Sequence, residues 1–288
     1  MKKLLTLCLC SSILICNGFT QDSVNSVYPT ISYLKIKVDS FGNLPTNPYI
    51  IQKRHGRKSL TVIGTQHTRD TLSTVFTAIE KAFEEMQPGV VINEAGKLTH
   101  TYGSRNEAIL KDGELGLEKF LADKAGIQTS NGDEPDKLEF DELSKIFSKD
   151  EALFYFASER FIFPYVFGQY SGTLEDEYDN NFIKGYLEKE GIELTAEEKT
   201  LGYYKTLYRR YFHQEFSLEK INQLDFTPFG TRNRFNSVTR KSKELRDVYL
   251  CKQIEAQLKL HDRVLVVFGG WHVLSVEPAL ELLVRQAR

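Results

Sequence analysis

The segment that decides the fold is residues 59–92, which read SLTVIGTQHTRDTLSTVFTAIEKAFEEMQPGVVI. Its first apolar run, Leu60–Ile63, is short, β-branched and closed by Gly64, which is typical of a buried strand. Its last run, Val90–Ile92, has the same character. Apolar side chains between the two runs recur at steps of three and four, and so share one helical face. They are Leu72, Val75, Phe76, Ile79, Phe83 and Met86. Strand, amphipathic helix and strand form a βαβ unit, whose strands we expect to be parallel.

Beyond this unit the chain is predicted to be mostly helical until a third buried strand, Val264–Phe268. One helix is predicted over Glu107–Lys124 and a long one over Phe235–Leu260, followed after the strand by a closing helix over Pro278–Gln286. The long helix is expected to turn Leu245, Val248 and Tyr249 inward. The sequence therefore predicts an α/β fold, in which a central, largely parallel sheet is flanked by helices.

Residues 150–215 are crowded with phenylalanine and tyrosine. We interpret the region 150–230 as a helical insertion that caps the sheet, with the aromatic side chains packed in its core. A groove for an apolar ligand is the alternative that the sequence leaves open.

The first twenty residues differ in character from the rest. Two lysines precede about a dozen largely apolar residues, which predicts a secretory signal peptide over residues 1–20 and export to the periplasm or the extracellular space. The apolar run is shorter than the roughly twenty residues that cross a bilayer, so no membrane span is expected in the mature chain. Residues 21–58 are predicted to form a flexible leader with an edge strand at 31–38 and a basic loop at 53–58.

The composition of the 288-residue chain is that of a globular protein, with 41% hydrophobic and 26% charged residues. The formal net charge is −2, so there is no basic surplus to neutralise phosphates, and a nucleic-acid partner is not expected. Only Cys251 lies outside the predicted signal peptide, so the mature chain would have no internal disulfide.

Chemically reactive side chains follow each of the three predicted parallel strands. His67 and His272 each stand three residues after a glycine, and Glu94 follows the second strand. Ligands bind outside the carboxyl ends of strands in open α/β sheets, so these side chains are candidates for one site. Two imidazoles and a carboxylate can hold a divalent metal that activates water. Without a metal, a histidine can act as general base beside the glutamate.

Four stretches of the sequence resemble the TraB/GumN/Tiki group, a part of the erythromycin esterase-like superfamily. They are Ile63–His67, Val91–Glu94, the Arg246-Asp247 pair in a helix, and Val266–His272. The resemblance covers about residues 59–288, and the two glycine-x-x-histidine motifs are its strongest parts.

The resemblance implies that His67, Glu94 and His272 converge in one cleft, where they could also hold a divalent metal such as Mn, Co or Zn. Tiki relatives are metal-dependent peptidases, whereas the erythromycin esterases cleave esters without an obvious metal requirement. Arg246 matches the family's helix arginine, and Asp247 follows it where asparagine is usual. The arginine would steady a carboxylate or a developing oxyanion.

Relatives often carry an acidic residue after the next strand, where this sequence has Glu134 beside Asp133. We therefore include Glu134 among the candidate site residues, although a solvated Asp-Glu-Pro turn would explain it equally well. The resulting hypothesis is an exported hydrolase that acts on a peptide or small-molecule substrate by cleaving a peptide or ester bond. The alternative is a non-catalytic, haem-binding protein of the same superfamily. The oligomeric state cannot be predicted from these features.

Overall fold

The computed structural model describes residues 28–39, 42–44, 46–94 and 98–287. The predicted signal peptide lies outside these ranges. Within them the protein is α/β, with one mostly parallel sheet flanked by helices, which confirms the predicted fold class. None of the helices in the described ranges combines the length and apolar composition that a bilayer crossing requires.

The sheet has five strands in the order β1-β2-β5-β3-β4. They are β1 (Tyr49–His55), β2 (Lys58–Thr65), β3 (Val90–Asn93), β4 (Gln128–Asn131) and β5 (Arg263–Gly269). β1 pairs antiparallel with β2, and every other pairing is parallel. The predicted βαβ strands, β2 and β3, are therefore parallel, but the C-terminal strand β5 lies between them.

The α-helices of the described residues follow one another along the chain. They are α1 (Thr74–Met86), α2 (Arg105–Ala125), α3 (Asp136–Ile146), α4 (Lys149–Ala157), α5 (Phe163–Val166), α6 (Leu174–Glu177), α7 (Leu201–Phe212), α8 (Arg234–Leu260) and α9 (Gly270–Gln286). π-helical turns cover Ser158–Ile162 and Tyr178–Leu187.

The two faces of the sheet have separate apolar cores because alternate strand residues point to opposite faces. On one face Ile63, Val91 and Val267 pack against α1 and α2. On the other face Val62 and Val266 pack against the C-terminal half of α8 and against α9. α8 thus lies along the sheet with one half and extends beyond it with the other.

A third core lies in the helical layer between α3 and the N-terminal half of α8, and it is strongly aromatic. Phe154 is at its centre, with its ring 4.9 Å from Tyr204 and 4.8 Å from Phe235. Most of the aromatic side chains predicted to belong to the cap are buried against one another. Core packing, the first of the two interpretations, accounts for them.

The prediction of an edge strand at 31–38 was wrong in position. That segment contains only a 3-10 turn over Tyr33–Lys35, and the edge strand is β1. β1 and β2 form a hairpin that turns at Gly56, whose φ of 57° is favourable for glycine. The predicted basic loop is therefore the end of this hairpin. Charged side chains on an edge strand commonly prevent it from pairing with another chain. Because β1 ends in such charged residues, its sequence resembled a loop.

Three details of the predicted helices also differ. Leu72 precedes α1 and is 89% exposed, so it does not belong to the buried face. On α8 Leu245 and Val248 are partly buried against the cores as predicted, whereas the fully buried apolar residues include Leu250 and Ile254, and Tyr249 packs in neither core. The closing helix begins at Gly270 instead of Pro278, which places His272 in its first turn.

Candidate active site

The carboxyl ends of β2, β5 and β3 lie side by side at one edge of the sheet, and each is followed by a predicted site residue. His67 Nε2 is 3.8 Å from Glu94 Oε2. The same carboxylate accepts a hydrogen bond from the backbone N–H of Gly269, three residues before His272. The charge of His67 also contributes to lowering the pKa of His272. The sheet thus brings His67, Glu94 and His272 to a common edge.

His67 lies in the loop after β2, and its side chain is 66% exposed. Its Nδ1 is 3.5 Å from Glu114 Oε2, and Glu114 also accepts a hydrogen bond from the N–H of Thr68. The contact depends on a kink in α2 at Gly113, where a Cβ would come within 2.9 Å of the Thr68 carbonyl oxygen. Hydrogen bonding to Glu114 raises the pKa of His67, and the charge of Glu94 adds to this against an opposing effect of partial desolvation of the ring.

His272 is held in a different environment, since it is only 3% exposed. Its Nδ1 is 2.6 Å from Asp247 Oδ1 on α8, and the Tyr33 hydroxyl donates to the same oxygen at 3.2 Å. Burial lowers the pKa of His272, and the positive charges of Arg246 and Lys243 lower it further. Burial also raises the pKa of Asp247 to about 8.

Arg246 joins two acidic loops beneath the edge of the sheet. Its Nη2 donates to Glu94 Oε1 at 3.0 Å and to Asp133 Oδ2 at 2.7 Å, while Nε donates to the second oxygen of Asp133. The side chain is 5% exposed. Burial disfavours its charge, but the carboxylates of Asp133 and Glu94 outweigh that effect and raise the pKa of Arg246.

The predicted acidic residue after β4 was therefore one position away from the residue that contacts Arg246. Asp133 makes the contact, whereas the carboxylate of Glu134 forms no hydrogen bond or ion pair with another described residue. Burial raises the pKa of Glu134 to about 7, with a further contribution from Glu139. The structure does not bring Glu134 into the His67–Glu94 contact.

The metal set implied by the resemblance is the part of the prediction that this arrangement supports least. Among the described residues, no group of three or more His, Cys, Asp or Glu side chains is placed to hold a metal ion. Both oxygens of Glu94 already accept hydrogen bonds, from Arg246 and from Gly269. The metal set therefore stays a prediction, and the proposed mechanism uses side chains alone.

Several partners in this site were not found from the sequence. Tyr33 was assigned to the predicted edge strand at 31–38, and Glu114 and Asp133 were not chosen as site residues. Glu114 and Glu118 did carry a signal, because both acids fall four residues apart among glycines and leucines of the predicted helix over 107–124. Asp247 was noted only as a departure from the family pattern, and the structure shows that it is the partner of His272.

Glu118 lies one turn from Glu114 and is buried to 1% exposure, with neither carboxylate oxygen hydrogen-bonded to a described residue. Burial raises its pKa well above the usual carboxyl range, with additional repulsion from Glu114 and Glu94. The folded protein therefore keeps a proton that the unfolded chain loses above about pH 4.3. Stability is lost as the pH rises above that value.

We predict that Glu118→Gln will increase the free energy of unfolding at pH 8 and have little effect at pH 4, because glutamine needs no proton to stay neutral. Urea unfolding at both pH values measures this effect. Glu84→Gln, at an exposed position on α1, is the control and should show no such pH-dependent gain. An equal effect of Glu118→Gln at both pH values would mean that the carboxyl is not held protonated by the fold.

Comparisons with known proteins found no relative of this protein. No protein-family model, no curated protein and no solved structure matches the chain. Functional inference therefore depends on the arrangement at the edge of the sheet.

Proposed function

We propose that this protein is a hydrolase that cleaves an ester or peptide bond at the carboxyl edge of β2, β5 and β3. The observation that carries the proposal is the contrast between its two strand-end histidines. Each is held by a carboxylate, yet their environments shift their pKa values in opposite directions. Such pairs commonly divide the acid and base roles of a reaction between them.

His272 is the general base in this proposal. Its lowered pKa favours the neutral imidazole, and its Nε2 makes no hydrogen bond with any described residue. Above the pKa of about 8 that burial gives Asp247, its carboxylate accepts the hydrogen bond from Nδ1–H, which leaves the lone pair on Nε2 to take a proton from water. The water oxygen then attacks the substrate carbonyl carbon.

His67 is the general acid. Its raised pKa favours the imidazolium, and its exposed position allows it to reach the leaving group. As the tetrahedral intermediate collapses, the bond to the leaving oxygen or nitrogen breaks and His67 supplies the proton. Arg246 Nη1 forms no hydrogen bond with a described residue and is the candidate donor to the oxyanion. Glu94 positions Arg246 and the Gly269 turn.

A neutral ester, 4-nitrophenyl acetate, tests this function directly. We predict that His67→Ala will lower kcat/KM by roughly 10²-fold or more for a neutral alkyl ester, ethyl acetate, whose alkoxide must be protonated as it leaves, and by much less for 4-nitrophenyl acetate, whose phenolate leaves without a proton. His213→Ala, in the cap at the end of α7, is the control and should keep full activity. The proposal would be contradicted if the unaltered protein hydrolysed neither of these esters nor any member of a panel of neutral peptides.

Metal dependence, which the resemblance implies, stays a prediction with its own experiment. Protein purified without chelator should contain about one equivalent of manganese, cobalt or zinc if the family's metal chemistry applies here. His67→Ala and His272→Ala should then both lose the metal. Hydrolysis that persists unchanged in metal-free protein would establish chemistry by the side chains alone.

The haem-binding alternative receives no added support. It depended on the aromatic cap and on histidines and tyrosines without an assigned role, and the aromatic side chains of the cap are packed against one another in its core. The predicted signal peptide would place the hydrolase outside the cytoplasm, and the N-terminal sequence of the mature protein tests this.

A further inference from the structure

Lys243 lies on α8 one helical turn before Arg246 and Asp247, so it projects from the same side of the helix toward the candidate site. Its charge acts on His67 and on His272, the two residues proposed to carry the reaction. The lysine is half-buried, and no step of the proposed mechanism uses it.

α8 carries two lysines without an ion pair among the described residues, Lys243 and Lys252, and of these Lys252 is exposed whereas Lys243 is half-buried. Lys241 is paired with Glu244, and Lys259 is paired with Glu255. Lys243 forms no hydrogen bond or ion pair with any described residue. Burial and the charge of Arg246 lower its pKa, and the charge of Glu159 opposes them only from beyond ion-pair distance. A lysine stem can be half-buried while its ammonium group stays accessible, so this ammonium group is available to a ligand.

We propose that Lys243 binds a carboxylate of the substrate, so that the preferred substrates of this site are anionic. The inference that this carboxylate lies near the bond to be cleaved rests on the proposed hydrolase function. The inference that Lys243 binds a carboxylate does not rest on it.

A singly charged group fits this position better than a phosphate does. The carboxylates of Glu94 and Glu114 at the site, and that of Glu159, which acts on Lys243, would repel a phosphate group, which can carry two charges, more strongly than a single carboxylate group. Two kinds of ligand carry the required group, namely a small dicarboxylic acid and the C-terminus of a peptide. Glutarate and N-acetyl-alanyl-alanine represent them, and inorganic phosphate represents the competing chemistry.

Calorimetric titration tests binding without reference to catalysis. We expect saturable binding of glutarate or of N-acetyl-alanyl-alanine, weakened at least about tenfold in Lys243→Met, as for the loss of a charged hydrogen bond. Lys243→Arg should retain most of the affinity because it keeps the charge. Lys259→Met, on the same helix but at the opposite edge of the sheet, is the control and should bind normally.

Three outcomes would overturn the proposal. They are no binding of either carboxylate by the unaltered protein, equal binding by Lys243→Met, or tighter binding of phosphate than of both carboxylates. Preference for glutarate over the peptide, or the reverse, identifies the source of the carboxylate. Thermal unfolding of Lys243→Met shows whether a loss of binding reflects misfolding. If that variant is misfolded, Lys243→Arg becomes the test, and it should retain most of the affinity.

A kinetic measurement links the site to the proposed reaction. The ratio of kcat/KM for mono-4-nitrophenyl glutarate to that for 4-nitrophenyl acetate should fall about tenfold in Lys243→Met. Carboxylate binding without hydrolysis of either ester would support the Lys243 site and contradict the hydrolase. Hydrolysis of both esters with the same ratio of kcat/KM values in Lys243→Met as in the unaltered protein would support the hydrolase and contradict the Lys243 site.

Discussion

Replacement of His272 by alanine is expected to lower kcat/KM for 4-nitrophenyl acetate by about 10²–10⁴-fold, because it removes the proposed general base. The fold should survive the change. With His272 gone, Asp247 would be a buried carboxyl without its nearest partner. Burial already raises the pKa of Asp247 to about 8, so it can remain neutral at pH 7 by holding a proton.

The measurement pairs kinetics with thermal unfolding, so that lost chemistry is separated from lost structure. His55→Ala, at the exposed end of β1, is the matched control and should show unaltered kinetics. His272→Gln keeps a side chain of similar polarity without a base, and it should be as inactive as the alanine variant. Substantial activity in both His272 variants would exclude His272 as the base.

The sheet and its reactive edge were predictable from local sequence. Leu60–Ile63, Val90–Ile92 and Val264–Phe268 are short apolar runs that have no solvent-facing alternation, and such runs belong to buried parallel strands. Once those strands are parallel, the residues that follow them must meet at one edge. His67 and Glu94 are therefore placed by strand direction alone, without knowledge of any long-range contact.

The partners that tune those residues could not be predicted in the same way. Tyr33 reaches Asp247 across 214 residues of sequence, and Asp133 reaches Arg246 across 113. No periodicity records such contacts, because they depend on how α8 crosses the sheet. The inward face of α8 was predicted only in part, since buried Arg246 and Asp247 occupy positions where a core-facing pattern would have apolar residues.

Arg246→Met is expected to be the most destabilising of the substitutions proposed for this protein, with a loss of about 3–5 kcal/mol in the free energy of unfolding. Arg246 compensates the charges of Glu94 and Asp133, whose carboxylates are 14% and 20% exposed. Its removal leaves two mutually repelling anions at the edge of the sheet. Urea unfolding at pH 7 measures the loss, and Arg285→Met is the control because the Arg285–Glu281 pair is largely exposed.

A second substitution determines whether charge is the cause. If the loss comes from uncompensated carboxylates, Asp133→Asn should recover part of the stability in the Arg246→Met background, and it should destabilise the protein in the unaltered background. Additive effects of the two substitutions would instead indicate that Arg246 contributes mainly by packing its side chain. Recovery of stability without recovery of hydrolysis would show that the guanidinium group acts on the reaction as well as on the fold.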